Sequence, residues 1–251
     1  MNFVTDEELC LHVKTMVDSV NAAKAKVVEN PYSTVIDPFS AVVDASIQHI
    51  SLEEWMEQEK VRKIQKALQN ALGKFHQNIL GSMPGWENAG TGGSYDVRNT
   101  EKKIIAEIKN KYNTLNSGGF WNMHTTLTGH LDYGGRGFTA YYVPIITETP
   151  KAFNKPFSTT RNGIRTPIRE DLRTMDGKSF YAMASGDANA LANLYRALPD
   201  ALAHVLREKL PISKSGMYQE TLKNMELTDP SVIADATISP FIALFIRAFG
   251  S

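Results

Sequence analysis

Residues 92–114 read GGSYDVRNTEKKIIAEIKNKYNT, and this stretch decides the fold. Its run IIAEIK is patterned for a core, yet it carries Glu107 and Lys109 two residues apart. Side chains alternate between the two faces of a strand, so Glu107 and Lys109 share one face. The opposite face is apolar and is formed by Ile104, Ala106 and Ile108. A strand with one anchored face and one charged face is therefore predicted.

The residues before this run predict a hairpin that adds a second carboxylate. A short strand is expected around Tyr95 to Val97, followed by a turn in RNTEK, which would bring Asp96 beside Glu107. Two close carboxylates repel each other when both are ionised, so they need a cation, and Mg²⁺ prefers such oxygen ligands. Lys109 could then orient or deprotonate a metal-bound water. An ordinary ion pair on an edge strand is the alternative interpretation of the same pattern.

The flanking sequence predicts helices around this hairpin. Ser51 and Glu54 have the spacing of a capping box, and apolar residues recur at helical steps as far as Ile79. Further helices are expected at Thr5–Val28, Phe120–Leu131, Asn189–Leu210 and in the apolar stretch at 238–250. Strands are expected at Phe138–Thr147 and in SFYAMA, with an irregular segment at Pro150–Asp176 between them. This order predicts one α/β or α+β domain around a mixed sheet.

Composition narrows the class of protein. The chain has 251 residues, of which 42% are hydrophobic, and its 27 basic residues balance 27 acidic ones. A single cysteine, Cys10, excludes an internal disulfide framework and suits a reducing compartment. No stretch approaches the roughly 20 apolar residues of a membrane span, and the N-terminus lacks the basic residues of a signal peptide. A soluble, cytoplasmic protein with no membrane partner is predicted.

One segment is strongly basic although the total charge of the chain is neutral. Between residues 151 and 173 six basic residues face only two acidic ones. A solvated loop with internally paired charges is one interpretation of this segment.

The order of helix, strand with Asp, strand with Glu-x-Lys, helix and strand resembles the PD-(D/E)XK nuclease superfamily. GWENAGTGGSYDV and EKKIIAEIKNKYNT are similar to the central block of type II restriction endonucleases that cut GGNCC-type sites. IDPFSAVVDA and DGKSFYAMASG resemble their flanking blocks. The resemblance implies a single restriction endonuclease domain over 1–251, with a mixed central β-sheet flanked by helices. The catalytic core would span roughly 51–185, with N- and C-terminal helical segments packed on it.

The resemblance also implies roles for individual residues. Asp96 and Glu107 would be Mg²⁺ ligands together with the backbone carbonyl of Ile108, and Lys109 would be the catalytic lysine. Tyr95 stands where the superfamily name has proline, which weakens the motif match without changing the chemistry.

A restriction enzyme has to bind phosphates and read base edges, which gives the basic segment at 151–173 a role. Arginine suits bidentate hydrogen bonding to guanine, so Arg161 and Arg165 are predicted to read bases and Arg169 to contact phosphate. Directly after the charged strand, Lys111 and Asn113 are candidates for contacts with the DNA backbone.

Members of this superfamily often add an acidic residue from the preceding helix. Extrapolating the apolar stripe of that helix backwards puts Glu57 on the sheet-facing side. A solvated helix glutamate is an equal alternative for this residue, and Glu87 in the following loop is a second candidate.

The implied function is a type II site-specific deoxyribonuclease. It would hydrolyse double-stranded DNA with Mg²⁺ at a palindromic GGNCC-type site and leave 5′-phosphates. A homodimer is expected, because a palindrome needs two active sites, together with a DNA methyltransferase of the same specificity. The alternatives are a structure- or damage-directed repair nuclease of the same superfamily, and a non-catalytic DNA-binding module whose charged residues form only a structural ion pair.

Overall fold

The computed structural model describes residues 1–32, 35–90, 93–148 and 151–207. Its helices are α1 (Asp6–Glu29), α2 (Pro38–Gln48), α3 (Leu52–Ser82), α4 (Ser117–Tyr133), α5 (Gly177–Ser185) and α6 (Ala190–Leu206). Its strands are β1 (Glu87–Asn88), β2 (Val97–Asn99), β3 (Ile104–Lys111), β4 (Thr139–Ile146), β5 (Asn154–Pro156), β6 (Thr160–Arg161), β7 (Ile164–Arg165) and β8 (Leu172–Met175). The helix expected at 238–250 lies outside the described residues.

The central sheet is mixed, as the sequence predicts. Its six strands run in the order β1-β2-β3-β4-β8-β5. The pairs β1–β2 and β2–β3 are antiparallel, β3–β4 and β4–β8 are parallel, and β8–β5 is antiparallel. A helix crosses between β3 and β4, as a parallel pair requires. The protein is thus a mixed α/β fold in which β3 and β4 are the central strands.

The two long helices begin where the sequence predicts. Thr5 caps α1 and Ser51 caps α3, each in a reciprocal capping box with a glutamate, Glu8 or Glu54. Each box satisfies backbone N–H groups that a helix N-terminus leaves without partners. The prediction of helices from Thr5 and from Ser51 is confirmed.

The sheet separates two apolar clusters. Ile104, Ala106 and Ile108 of β3 pack into a large cluster with residues of α1, α3, α5 and α6. Ile105 projects the other way, into a smaller cluster with residues of α4. The alternation predicted for β3 is therefore confirmed, and the face that carries Glu107 and Lys109 is the face that α4 covers.

Two expectations for the segment after β4 are wrong. SFYAMA forms helix α5 rather than a strand, because Asp176 caps it through the Ser179 N–H and because Phe180, Tyr181 and Ala184 are buried at helical spacing. The segment expected to be irregular contains β5 to β8. Short strands with exposed residues lack the hydrophobic alternation by which strands are recognised.

Within the described residues, no helix is long and apolar enough to cross a membrane.

Gly177 lets α5 approach β4 closely, which generates a stability prediction. A Cβ atom at Gly177 would lie 2.6 Å from backbone atoms of Ile145, whereas one at Gly73 in α3 would have no neighbour within 4 Å. Gly177→Ala should lower the free energy of unfolding by about 1–3 kcal/mol. Gly73→Ala should raise it by up to ~1 kcal/mol, because alanine is the better helix former. Urea unfolding of both variants measures this; equal shifts would contradict it.

Candidate active site

The hairpin of β2 and β3 brings two acidic residues face to face. Val97 pairs with Ala106 at the end of the antiparallel ladder, where Asp96 directly precedes Val97 and Glu107 directly follows Ala106. The Asp96 N–H donates to the Ala106 carbonyl at 2.9 Å, and the charge of Glu107 acts on the Asp96 carboxyl. The predicted approach of these carboxylates, called the carboxylate pair below, is confirmed.

Asp96 is held on three sides by backbone groups. Besides its bond to Ala106, its carbonyl accepts from the Ala89 N–H at 2.9 Å. Its side-chain Oδ2 accepts from the Ile108 N–H at 2.7 Å. Because all three partners are backbone atoms of neighbouring segments, the position of this carboxylate follows from the sheet rather than from a mobile side chain.

Lys109 contacts the other member of the carboxylate pair. Its Nζ lies 2.5 Å from Glu107 Oε1, and both side chains are about three-quarters buried. The strand places these residues two positions apart on one face, as predicted. Asp96, Glu107 and Lys109 therefore converge at one point, with the backbone of Ile108 between the latter two.

The electrostatics of the site oppose ionisation of Asp96. Burial, and next the charge of Glu107, raise the pKa of Asp96 to about 6. The Ile108 N–H and the ammonium groups of Lys109 and Lys74 act in the opposite direction. A carboxylate that is costly to ionise beside a second one is stabilised by a cation placed between them.

A cavity of about 250 Å³ opens beside Glu107 and Lys109, and sequence reasoning missed its other wall. Asn122 and Thr126 of α4 line it, and neither side chain has a hydrogen-bond partner among the described residues. Gly119, in the first turn of α4, lines it as well. The four-residue spacing of Asn122 and Thr126 marks one polar helix face, but nothing in the sequence indicates that this face meets β3.

The carboxylate oxygens at the site suit a hard cation that keeps part of its hydration shell. In the part of the chain that the structure describes, no group of three or more His, Cys, Asp or Glu side chains is arranged to hold a metal ion. The carboxylate pair offers two oxygen ligands, and Mg²⁺ commonly binds one or two carboxylates while waters and phosphate oxygens complete its octahedron. The side chains present are thus sufficient for Mg²⁺.

The structure does not bring Glu57 to the carboxylate pair. Its side chain is 71% exposed and bonds to Lys60 one turn away. Lys74, whose charge acts on Asp96, follows it by 17 residues on the same helix, which is about 25 Å along the axis. The backward extrapolation was misleading because α3 extends well beyond the sheet.

Glu87, the second acidic candidate, is engaged elsewhere. It lies in the edge strand β1, more than half exposed, and accepts from Arg98 Nε at 2.6 Å. Tyr95 packs edge-on against His130 with ring centroids 4.9 Å apart. It therefore fills a packing position beside the hairpin.

The basic segment contains a small exposed hairpin, called the basic hairpin below, formed by β6 and β7. Its turn residues Asn162 and Gly163 both have positive φ, as tight two-residue hairpins require. Arg161 is opposite Ile164 in the register, and Thr160 is opposite Arg165. Opposed residues share a face, so the two arginines lie on opposite faces of the hairpin.

The two arginines also differ in how firmly they are held. Arg165 donates through Nε and Nη2 to Ser158 Oγ at 3.0 and 2.8 Å. The Arg161 guanidinium has no hydrogen-bond partner within the described ranges. The hairpin thus presents one free arginine and one pre-oriented arginine.

Arg169 has a different environment from the one predicted. It donates to both carboxylate oxygens of Asp171 at 2.9 Å and to Asp132 of α4 at 2.7 Å. These bonds hold the pKa of Arg169 above its ordinary value. Two carboxylates pair with the guanidinium, so it links the segment before β8 to α4, and a contact of Arg169 with phosphate stays a prediction.

The residues that follow the charged strand stay near the site. Lys111 is the last residue of β3 and, by alternation, lies on the face of Glu107 and Lys109. Asn113 is exposed in the turn beyond it. Tyr112 between them is anchored, since its N–H donates to the Ile146 carbonyl at 2.9 Å.

Comparison with known proteins gives consistent matches. The sequence model of the Eco47II restriction endonuclease family matches residues 1–207. The chain is 37% identical to the type II restriction enzyme Eco47II of Escherichia coli over 217 residues, which is 84% of this chain and 90% of that protein. It is 25% identical to the type II restriction enzyme Sau96I of Staphylococcus aureus over 248 residues, 93% of this chain and 94% of that protein.

The raised pKa of Asp96 generates a prediction of pH-dependent stability. In the unfolded chain the carboxyl ionises near pH 4, whereas in the folded chain it does so only at about 6. The folded state therefore loses stability as pH rises through this window and carries the full cost above it. In metal-free buffer with EDTA, Asp96→Asn should unfold at a higher temperature than the unmodified chain at pH 8, with the difference vanishing near pH 4.

The control for that experiment is Asp18→Asn on α1, whose side chain is well exposed. It should leave the pH profile of the melting temperature unchanged. A profile for Asp96→Asn that is parallel to that of the unmodified chain would contradict the assigned cost of ionising Asp96.

Proposed function

Because the chain belongs to the Eco47II restriction endonuclease family, it is a type II restriction endonuclease that cleaves DNA at specific sites, and we propose that Asp96 and Glu107 hold the Mg²⁺ ion for this reaction. The observation that carries the proposal is the meeting of both carboxylates with Lys109 at one sheet edge. In this assignment the sheet with its α3 and α4 layers corresponds to a PD-(D/E)XK core.

The metal would polarise a phosphate oxygen and lower the pKa of a bound water. Asp96 and Glu107 supply the negative charge that holds it, and the carbonyl of Ile108 is a further proposed ligand. Ionisation of Asp96, costly in the chain alone, becomes favourable once a cation lies beside it. The products would be a 5′-phosphate and a 3′-hydroxyl.

Lys109 is proposed to act on the attacking water and on the charge that grows at phosphorus. Lys109 is now paired with Glu107, and its ammonium would become available to the phosphate if Glu107 held a metal ion instead. The adjoining cavity is wide enough for a phosphate group and is bounded by Lys109, Asn122 and Gly119. Gly119 lies in the first turn of α4, where the helix dipole favours an anion.

The basic hairpin is proposed to enter a groove of the duplex. Arg161 is free to reach a base edge, and Arg165 is aimed by Ser158. A GGNCC-type target, which the sequence resemblance implies, offers guanine O6 and N7 acceptors on both strands for bidentate arginine contacts. Lys111 and Asn113 are proposed to contact the DNA backbone near the cleaved bond.

The proposal includes the partners that such an enzyme needs. A palindromic target calls for two active sites related by a twofold axis, hence a homodimer. A DNA methyltransferase of the same specificity would protect the cell's own sites. Cytoplasmic localisation follows from the same role.

The central test is cleavage of plasmid DNA with and without the proposed chemistry. With Mg²⁺ the protein should give discrete fragments whose mapped ends lie at one short sequence, and EDTA should abolish them. Lys109→Ala should reduce cleavage at least ~100-fold, because it removes a charge placed to stabilise the transition state.

Lys14→Ala on the exposed face of α1 is the matched control and should cleave normally. Full activity of Lys109→Ala, or fragments that persist in EDTA, would refute the assignment. Cleavage without a fixed sequence would favour the repair-nuclease alternative. Binding to DNA that ignores Mg²⁺, with no cleavage, would favour the binding module.

The basic hairpin generates a prediction about specificity. Arg161→Ala should cost about 1–3 kcal/mol of discrimination between cognate and non-cognate DNA while leaving the melting temperature unchanged. Arg169→Ala should instead lower the melting temperature, since Asp132 and Asp171 lose their shared partner. Gel-shift titrations with both DNAs and thermal melts separate the two effects. Equal losses of affinity for both DNAs in Arg161→Ala would mean that Arg161 contacts only the backbone.

A further inference from the structure

Helix α2 is apolar on both of its sides. Ala41 and Ala45 face inward and form a small buried cluster with Trp55 of α3. The opposite side carries Phe39, Val42, Val43 and Ile47, called the α2 outer stripe below, and each of these side chains is more than half exposed. They recur at three- and four-residue steps, so they form one continuous stripe. An amphipathic surface helix would have polar residues there.

The surface around the α2 outer stripe is apolar as well. Two further large hydrophobic residues that are at least half exposed, Tyr32 and Leu52, line one cavity together with Val42 of the stripe. A cavity of about 590 Å³ between α2 and the start of α3 is lined mainly by apolar side chains. A contiguous patch of this kind on a folded protein marks an interaction site.

The helix is braced, so the patch is preformed. Trp55 Nε1 donates to Asp44 Oδ2 at 2.8 Å, which links α2 to α3. The Arg62 guanidinium lies over the Trp55 ring, 5.0 Å from its centroid, and reaches Asp44 at 3.6 Å. A rigid surface loses little conformational entropy on binding, which favours association.

The charge of this region disfavours DNA as its occupant. Residues 27–63 hold seven acidic residues against three basic ones, Lys60, Arg62 and Lys63, and each of the three is engaged within the chain, with Glu57, with Glu59 and Asp44, and with the Pro31 carbonyl. A phosphate backbone is bound through basic side chains, and anionic lipid is attracted by them too. An apolar, acidic surface is suited to a protein partner.

We propose that the α2 outer stripe is the surface on which a second copy of this chain docks. The choice of a second copy rests on the proposed function, in which two identical active sites cut a palindrome. A twofold contact places the same patch on both sides, so apolar side chains meet apolar side chains, while Glu57 and Asp44 beside the patch are paired with Lys60 and Arg62 of their own chain. Six large, at least half-exposed side chains on each copy give an apolar centre to an interface of the standard size, roughly 800 Å² per partner.

This surface is separate from the chemistry. Trp55, on which α2 packs, precedes Lys74 by 19 residues on α3, or about 28 Å along the helix. Substitutions on the α2 outer stripe therefore leave the carboxylate pair intact. The assembly and the chemistry can be impaired independently.

The test measures the mass in solution of the full-length chain by light scattering at micromolar concentration. The unmodified chain should have twice its monomer mass of 27.9 kDa. Val43→Asp combined with Ile47→Asp should raise the dissociation constant of the dimer at least ~100-fold, because carboxylates would be buried against apolar partners. Leu11→Asp is the matched control: Leu11 on α1 is 59% exposed and Val43 57%.

Cleavage assays complete the experiment. The double variant should nick plasmid DNA or leave it intact, whereas Lys109→Ala should stay dimeric while inactive, which separates failure of this inference from failure of the proposed function.

Phe39→Ser combined with Ile47→Ser, which adds no charge, should also weaken the dimer and guards against misfolding of the first variant. A monomeric unmodified chain would overturn the inference, as would a dimer that both double variants leave intact. A monomer destabilised by these substitutions would instead indicate that the patch is covered within one chain.

Discussion

The hydrogen bond from the Ile108 N–H to Asp96 Oδ2 is the contact on which the site depends. It joins a backbone group of β3 to the side chain that precedes β2, and it is possible only in the register that pairs Val97 with Ala106. A slip of one residue would turn Glu107 and Lys109 into the large apolar cluster and bring Ile108 out. The apolar residues of β3 exclude that slip, so hydrophobic burial on one face secures the charged arrangement on the other.

The cost of this arrangement is borne by the carboxyl of Asp96. Burial and the neighbouring Glu107 raise its pKa, so the folded chain alone is a poor host for the ionised form. Such a site is less stable than it could be and becomes complementary to a cation for the same reason. Stability and the proposed binding of a metal therefore make opposite demands on one side chain.

The arginines show how the same residue type serves different ends. Arg169 is enclosed by Asp132 and Asp171 and joins secondary structure elements, while Arg161 on the basic hairpin lies free in solvent. Their sequence neighbourhoods look alike, because both lie in one basic segment. The difference arises from Asp132, which is distant in sequence and is brought close only by the end of α4.

Local patterns in the sequence determined much of this protein. Capping boxes and apolar periodicity predicted α1 and α3, and alternation along β3 with a turn before it predicted the convergence of Asp96, Glu107 and Lys109. These features depend on residues within a few positions of each other, so each can be predicted from the sequence of a single helix, strand or hairpin. The strand expected in SFYAMA was wrong because a short apolar run suits a strand or a helix equally, and the cap at Asp176 decided between them.

Only the tertiary structure decided which distant residues join the site. It placed Glu57 away from the carboxylate pair through the length of α3, brought Asn122 and Thr126 of α4 to the cavity beside Glu107, and left the outer side of α2 without a partner among the described residues. Each of these outcomes depends on how whole elements pack against one another. Packing distances between elements are set by many side chains at once, and no local stretch of sequence contains them.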